Sequence, residues 1–199
     1  MKSLKQYIQE KLVIKKHNHK YSPKTKEELK DLIKKRIKKE GNNVDLNDID
    51  VSKITDMSDL FRGLDFNGDI SYWNVSNVTN MNGMFRECPS FNQDIAKWDV
   101  SKVKTMYSMF ACCKSFNQDI SSWDVSNVID MGCMVYGCKD FNQDISNWNV
   151  LNVRNMGSMF YECTSFDQDL SQWDVSKVIY FNYAFVSCSI DEKYKPKFK

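Results

Sequence analysis

Trp73, Trp98, Trp123, Trp148 and Trp173 stand 25 residues apart, and this interval limits the possible folds more than any other feature. Counted from each Trp, apolar residues recur at +2, +5, +8, +11, +12, +15, +18 and +22. In the Trp98 unit they are Val100, Val103, Met106, Met109, Phe110, Cys113, Phe116 and Ile120. An earlier unit opens at Ile49 and is one residue short between Leu64 and Phe66, while a worn one runs from Trp173 to Cys188. A unit this short cannot bury its own apolar face. About six of them must therefore pile up and share one core.

The spacing inside a unit predicts its local structure. Met106, Met109, Phe110 and Cys113 fall at i, i+3, i+4 and i+7, one face of a short helix. Asp56, Asn80, Thr105, Asp130 and Asn155 each precede such a Met and read as N-caps. From Phe116 to Val125 no helical face is present, as expected of an extended arm and a corner. The expected fold is an α/β repeat solenoid, leucine-rich-repeat-like, with one short strand and one short helix per 25-residue coil and an N-terminal helical cap. A short amphipathic segment and polar tether fill residues 1–20, and the basic cap fills 21–47. The repeats occupy 48–190, and a basic tail closes the chain at 191–199.

Between the inward Phe and Ile of successive units lie Asn92-Gln93-Asp94, Asn117-Gln118-Asp119 and Asn142-Gln143-Asp144. Stacked amides would hydrogen-bond along the pile and satisfy backbone groups at a corner. A cation-gathering column of Asp94, Asp119, Asp144 and Asp169 is the rival reading. Repetition in every unit and the scarcity of Gly favour the scaffolding role, so no metal is expected. Cys88, Cys113, Cys138, Cys163 and Cys188 keep the repeat's register and read as a buried small-hydrophobe column. Cys112 and Cys133 lie outside it as free thiols.

The pattern "FNQDIS.WDVSNV..M..MF..C" resembles the repeat of BspA-like leucine-rich-repeat surface proteins, over roughly Asp48 to Cys188. The stretch "KTKEELKDLIKKRIKKEGNNVDLNDIDVSKITDMSDLF" is similar to a leader found ahead of such repeats. The resemblance implies a short strand per coil and a role in attachment or protein–protein recognition without catalysis. It also implies relatives among bacterial cell-surface adhesion proteins and phage-borne genes.

The net charge of +2 conceals a split, since residues 1–41 hold 14 Lys/Arg against 5 Asp/Glu. Thr25 and Glu28 form a capping box, Leu29, Leu32, Ile33 and Ile37 one apolar face, and Gly41 a stop. The helix so defined would cover the first coil. A nucleic-acid role for its lysines is a third reading, weakened by the absence of interleaved aromatics and by the acidic body. Leu4, Tyr7, Ile8 and Leu12 mark a candidate docking peptide, which either folds back on the cap or engages another protein. Recruitment through it would make the chain a structural component of a larger assembly, virion- or envelope-associated. The opening residues lack a secretory signal, and no run of 18 apolar residues occurs. The chain is therefore expected to be intracellular or virion-associated, with no transmembrane segment.

Catalysis finds no support in these residues. The two histidines, His17 and His19, lie in the tether, so the repeats hold no Ser-His-Asp or Cys-His arrangement. No phosphate-cradling Gly loop or HExxH is present. Neither a cofactor nor a small-molecule substrate is expected. Binding belongs where the repeat lets residues vary: Tyr72 and Lys97 at +24, Tyr107 at +9, Tyr136 and Tyr161 at +13. Exposed Tyr is a common anchor of protein interfaces, so a protein partner is expected there.

Overall fold

The computed structural model describes residues 19–198. Among them the only α-helix is α1, Lys26–Glu40. Thr25 Oγ1 accepts the Glu28 N–H at 3.2 Å, and Gly41, at φ 91°, donates its N–H to the Ile37 carbonyl at 2.8 Å. Leu29 and Ile33 are fully buried in the core shared with the first coil. Lys26 reaches across to Asp56 and to Ser58 Oγ of that coil.

Beyond α1 the chain is built from four-residue turns. In the Trp98 coil, N–H groups close back three residues from Trp98 to Ile95, Val103 to Val100 and Met109 to Met106. The same closure runs from Cys113 to Phe110 and from Phe116 to Cys113. Each of these three-residue steps in the apolar pattern is thus the first and fourth position of one turn, whereas the step from Val103 to Met106 runs through the bridge residue Thr105. Both ends point inward and the two middle residues form the corner. Met106, Met109, Phe110 and Cys113 are the ends of two such turns in tandem.

This overturns the expected α/β solenoid. Among the described residues no coil contains a helix, and parallel pairing is confined to isolated one-residue bridges such as Asn80 with Thr105. Tandem four-residue turns bury positions i, i+3, i+4 and i+7, the same spacing as a helical face, so periodicity alone could not separate them. The hydrogen bonds do. The N–H groups of Met106, Ser108, Phe110 and Cys112 leave their own coil for the carbonyls of Asp130, Gly132, Met134 and Tyr136, at 2.7–2.9 Å. The residues taken for N-caps are the bridge positions themselves. Asp130 Oδ1, for instance, accepts the Gly132 N–H at 2.9 Å, an Asx-type turn with no helix behind it.

These turns place two residues per coil in the left-handed region, for instance Ser108 (φ 54°) and Cys112 (φ 64°). A non-glycine residue there costs roughly 1 kcal/mol. Both residues donate to the next coil, Ser108 at 2.8 Å and Cys112 at 2.7 Å, and these bonds hold the conformation.

Stacking places like residues over one another. Phe110 stacks on Phe116 of its own coil at 3.9 Å and on Phe85 of the previous one at 5.6 Å. The five tryptophans are buried, and each indole N–H donates to a carbonyl of the preceding coil, as Trp98 does to Ile70 at 3.2 Å. The buried cysteines do more than fill space. Cys113 Sγ lies 2.9 Å from the Phe85 carbonyl, and Cys88, Cys138 and Cys163 repeat the contact at 3.0 Å.

Coil contacts begin before Asp48, since the Leu46 N–H already bonds the Asp69 carbonyl at 2.9 Å. At the other end Leu170 donates to the Tyr194 carbonyl at 2.8 Å. The last coil therefore runs into a single 3₁₀ turn, Glu192–Tyr194. No described helix is long and apolar enough to cross a membrane.

Candidate functional site

The tandem-turn strip fixes which side chains face out. Residue +10 of each coil, left-handed, starts a further turn that ends at +13: Ala111 closes on Ser108, Tyr136 on Cys133 and Tyr161 on Ser158, at 3.1–3.2 Å. The carbonyls of the same +13 residues accept from the coil below, Tyr136 from Cys112 and Tyr161 from Gly137, both at 2.7 Å. The backbone under the tyrosines is thus pinned along and across the stack. Their rings pack in parallel, with centroids 4.9 Å apart and planes 4° from coincidence.

Tyr107 stands one coil lower. Its backbone N–H donates to Asn82 Oδ1 at 2.9 Å, and its hydroxyl meets Cys133 Sγ at 4.0 Å. Tyr107, Ala111, Cys112, Cys133 and Tyr136, with Arg86, line one open groove of about 280 Å³. The Cys133 thiol and then burial push the Tyr107 phenol above its usual range. Burial, followed by Glu162 and Tyr161, does the same for Tyr136, and burial with Glu87 raises the Cys112 thiol. Every phenol and thiol so shifted is neutral near pH 7. Arg86 is held by Glu87 at 3.0 Å and Arg62 by Asp59 at 3.6 Å. The groove therefore offers aromatic faces, neutral hydroxyls and the ion-paired Arg86 guanidinium. Such a surface suits a polypeptide better than a polyanion.

The proposed binding residues separate into two groups. Tyr107 and Tyr136 share the groove, and Tyr161 extends it by stacking. Tyr72 and Lys97, both exposed, sit instead in the turns Ile70–Trp73 and Ile95–Trp98, at the side of the coil that carries the Asn-Gln-Asp trios. Leu4, Tyr7, Ile8 and Leu12 lie outside the described residues, as does His17. Reading by column passed over Cys112 and Cys133 as groove-lining residues. Their signal was available, because both break the cysteine register.

The trios have defined work. Asn92 Oδ1 accepts the Asn117 N–H at 2.9 Å and Gln118 Nε2 at 3.0 Å, and Asn67, Asn117 and Asn142 repeat the arrangement. Asp94, Asp119, Asp144 and Asp169 each accept the N–H two residues on, at 2.9–3.0 Å. The hydroxyls of Ser121 and Ser146, and then their N–H groups, hold the Asp119 and Asp144 carboxyls below their usual range. Among the described residues no three His, Cys, Asp or Glu side chains gather as a metal site would need.

The family described as "Mycoplasma protein of unknown function, DUF285" matches residues 28–140 and again 96–195, from α1 to the end of the stack. No curated protein and no solved structure matches the chain.

Proposed function

The chain belongs to the DUF285 family of Mycoplasma proteins, and from that premise we propose that it is a non-enzymatic recognition module. It takes hold of a protein partner across the Tyr107–Tyr136–Tyr161 groove. One observation carries the reading: the half-buried Tyr136 and Tyr161 rings lie parallel at 4.9 Å on the flank of the stack, outside the buried core that holds the phenylalanine and tryptophan columns. The turns do not require them, since Arg62, Arg86, Ala111 and Val186 fill the same column. Rigid aromatic area bounded by paired charges is the composition of an interface anchor. The resemblance to BspA-like repeats supports attachment or recognition as the purpose.

A pull-down tests this, comparing the intact chain with the triple variant Tyr107→Ala/Tyr136→Ala/Tyr161→Ala. The proposal expects the retained protein to be lost from the triple variant and kept by Tyr72→Ala/Lys97→Ala. Equal capture by all three would defeat it. Retention that falls steeply with added salt and vanishes with nuclease would instead favour the lysine face of α1.

A further inference from the structure

In each coil up to the last, the N–H groups at +8, +10, +12 and +14 donate to carbonyls of the coil above, as Met156, Ser158, Phe160 and Glu162 do to Tyr180, Asn182, Ala184 and Val186. In the last coil these positions are Phe181, Tyr183, Phe185 and Ser187. Among the described residues none of these four N–H groups meets an acceptor. The donors all point one way along the stack, so the end presents a row of positive peptide dipoles, as a helix N-terminus does. Phe198 folds back against the core to stack on Phe181 at 4.5 Å.

The outward residues of the same coil change character. Ile179, Tyr180, Tyr183 and Val186 are 58%, 63%, 68% and 42% exposed. Arg154, Asn155, Ser158 and Tyr161 hold those columns one coil below. A groove between Tyr183 and Val186 runs to Phe198 and is edged by Lys195. Lys193, paired with Asp191 at 3.3 Å, and Lys197 are exposed on the segment that leads to Phe198.

We infer that this end face is a second docking site, taking an acidic segment of another polypeptide, which adds to the stack as one more coil edge would. Two arguments select that occupant. A second copy joined end to end in the same sense would need its own lower face, and α1 lies there with Leu29 and Ile33 buried against the first coil. A copy joined face to face would oppose donors to donors and lysines to lysines. A segment that follows the same turned course, in contrast, presents a carbonyl at every second residue to the four N–H groups, as Tyr180, Asn182, Ala184 and Val186 do for the coil below. Carboxylates on that segment complement Lys197 and the peptide dipoles, Lys195 being paired with Glu192. This site does not depend on the tyrosine groove.

The test is an NMR titration of the intact chain with two acetylated decapeptides, one alternating Glu and Val, the other Lys and Val. The Glu/Val peptide is expected to shift and protect the amides of Tyr183, Phe185 and Ser187. The Lys/Val peptide should bind at least tenfold more weakly. Val186→Glu, with its fold verified by tryptophan emission, should weaken the Glu/Val peptide at least tenfold. The inference is overturned by equal binding of the two peptides, by shifts confined to the Tyr107–Tyr136 groove or absent altogether, or by sedimentation of the free chain as a dimer.

Discussion

Asn92 and Asn117 lie one above the other, and the side-chain oxygen of the first accepts the backbone N–H of the second at 2.9 Å. The ladder uses an acceptor, so a carboxylate can replace the amide. Asp167 already serves this way for the Asp191 N–H, at 3.2 Å. Asn92→Leu leaves the half-buried amide of Asn117 and the Gln118 side chain without their acceptor and should cost about 1–2 kcal/mol. Asn92→Asp should cost less than about 1 kcal/mol. Urea denaturation of the two variants decides the point.

The cysteine column makes stability depend on alkaline pH. Burial pushes the Cys88 thiol up to about 12 and raises Cys113 and Cys138 well above the usual range. An unfolded thiol ionises near about 8.5. The folded form therefore holds more protons between these values. The stabilisation is complete below about pH 8.5 and declines as pH rises, by roughly 1.4 kcal/mol per unit for each such thiol. Cys88→Ala should cost about 1–2 kcal/mol at neutral pH. Its stability should then fall less steeply than the parent's above pH 9, as followed by thermal melts across the range.

Left-handed residues give a second handle on the turns. Gly83 sits at φ 58°, and a Cβ there would lie 2.5 Å from Asp59 Oδ1. Gly137, at φ 67°, has no neighbour nearer than 3.8 Å. Gly137→Ala should cost about 1 kcal/mol from backbone strain alone. Gly83→Ala should exceed it by the displacement of Asp59, and chemical denaturation measures the difference.

Arg36 fastens the helical cap to the stack. Its guanidinium bonds Glu40 Oε1 at 2.6 Å and Asp48 Oδ1 at 2.8 Å, and the side chain is only 12% exposed. Burial alone would raise the Asp48 carboxyl, but Arg36 and Lys20 outweigh it and hold it below its usual range. Stability from this pair is present above about pH 4 and is lost as pH falls through the lowered value. Arg36→Ala should cost about 2 kcal/mol at pH 7. Acid titration of stability should show the gap to the parent narrowing below about pH 4.

The repeat length, the inward residues and the cap's limits at Thr25 and Gly41 were legible because each leaves a periodic or capping signature. The local structure was not. Met106, Met109, Phe110 and Cys113 bury the same positions whether their N–H groups bond within a helix or to the next coil, and side-chain pattern does not record the direction of an N–H. Nor did the sequence reveal that Ser108 and Cys112 take left-handed geometry, where glycine would have been the usual signal. At the candidate site the exposed columns were readable, but their grouping was not. Tyr107 and Tyr136 meet in one groove because the strip between them is tightly turned, whereas Tyr72 and Lys97 fall in turns elsewhere on the coil.

Hydrogen bonds between coils are the foundation of the whole account, and scalar couplings across hydrogen bonds observe them directly in isotope-labelled protein. The amides of Ser108, Phe110 and Cys112 should couple to the carbonyls of Gly132, Met134 and Tyr136, each 24 residues ahead. Couplings from those amides to carbonyls four residues behind would mean that each coil carries a helix after all, and would contradict the turn-built stack.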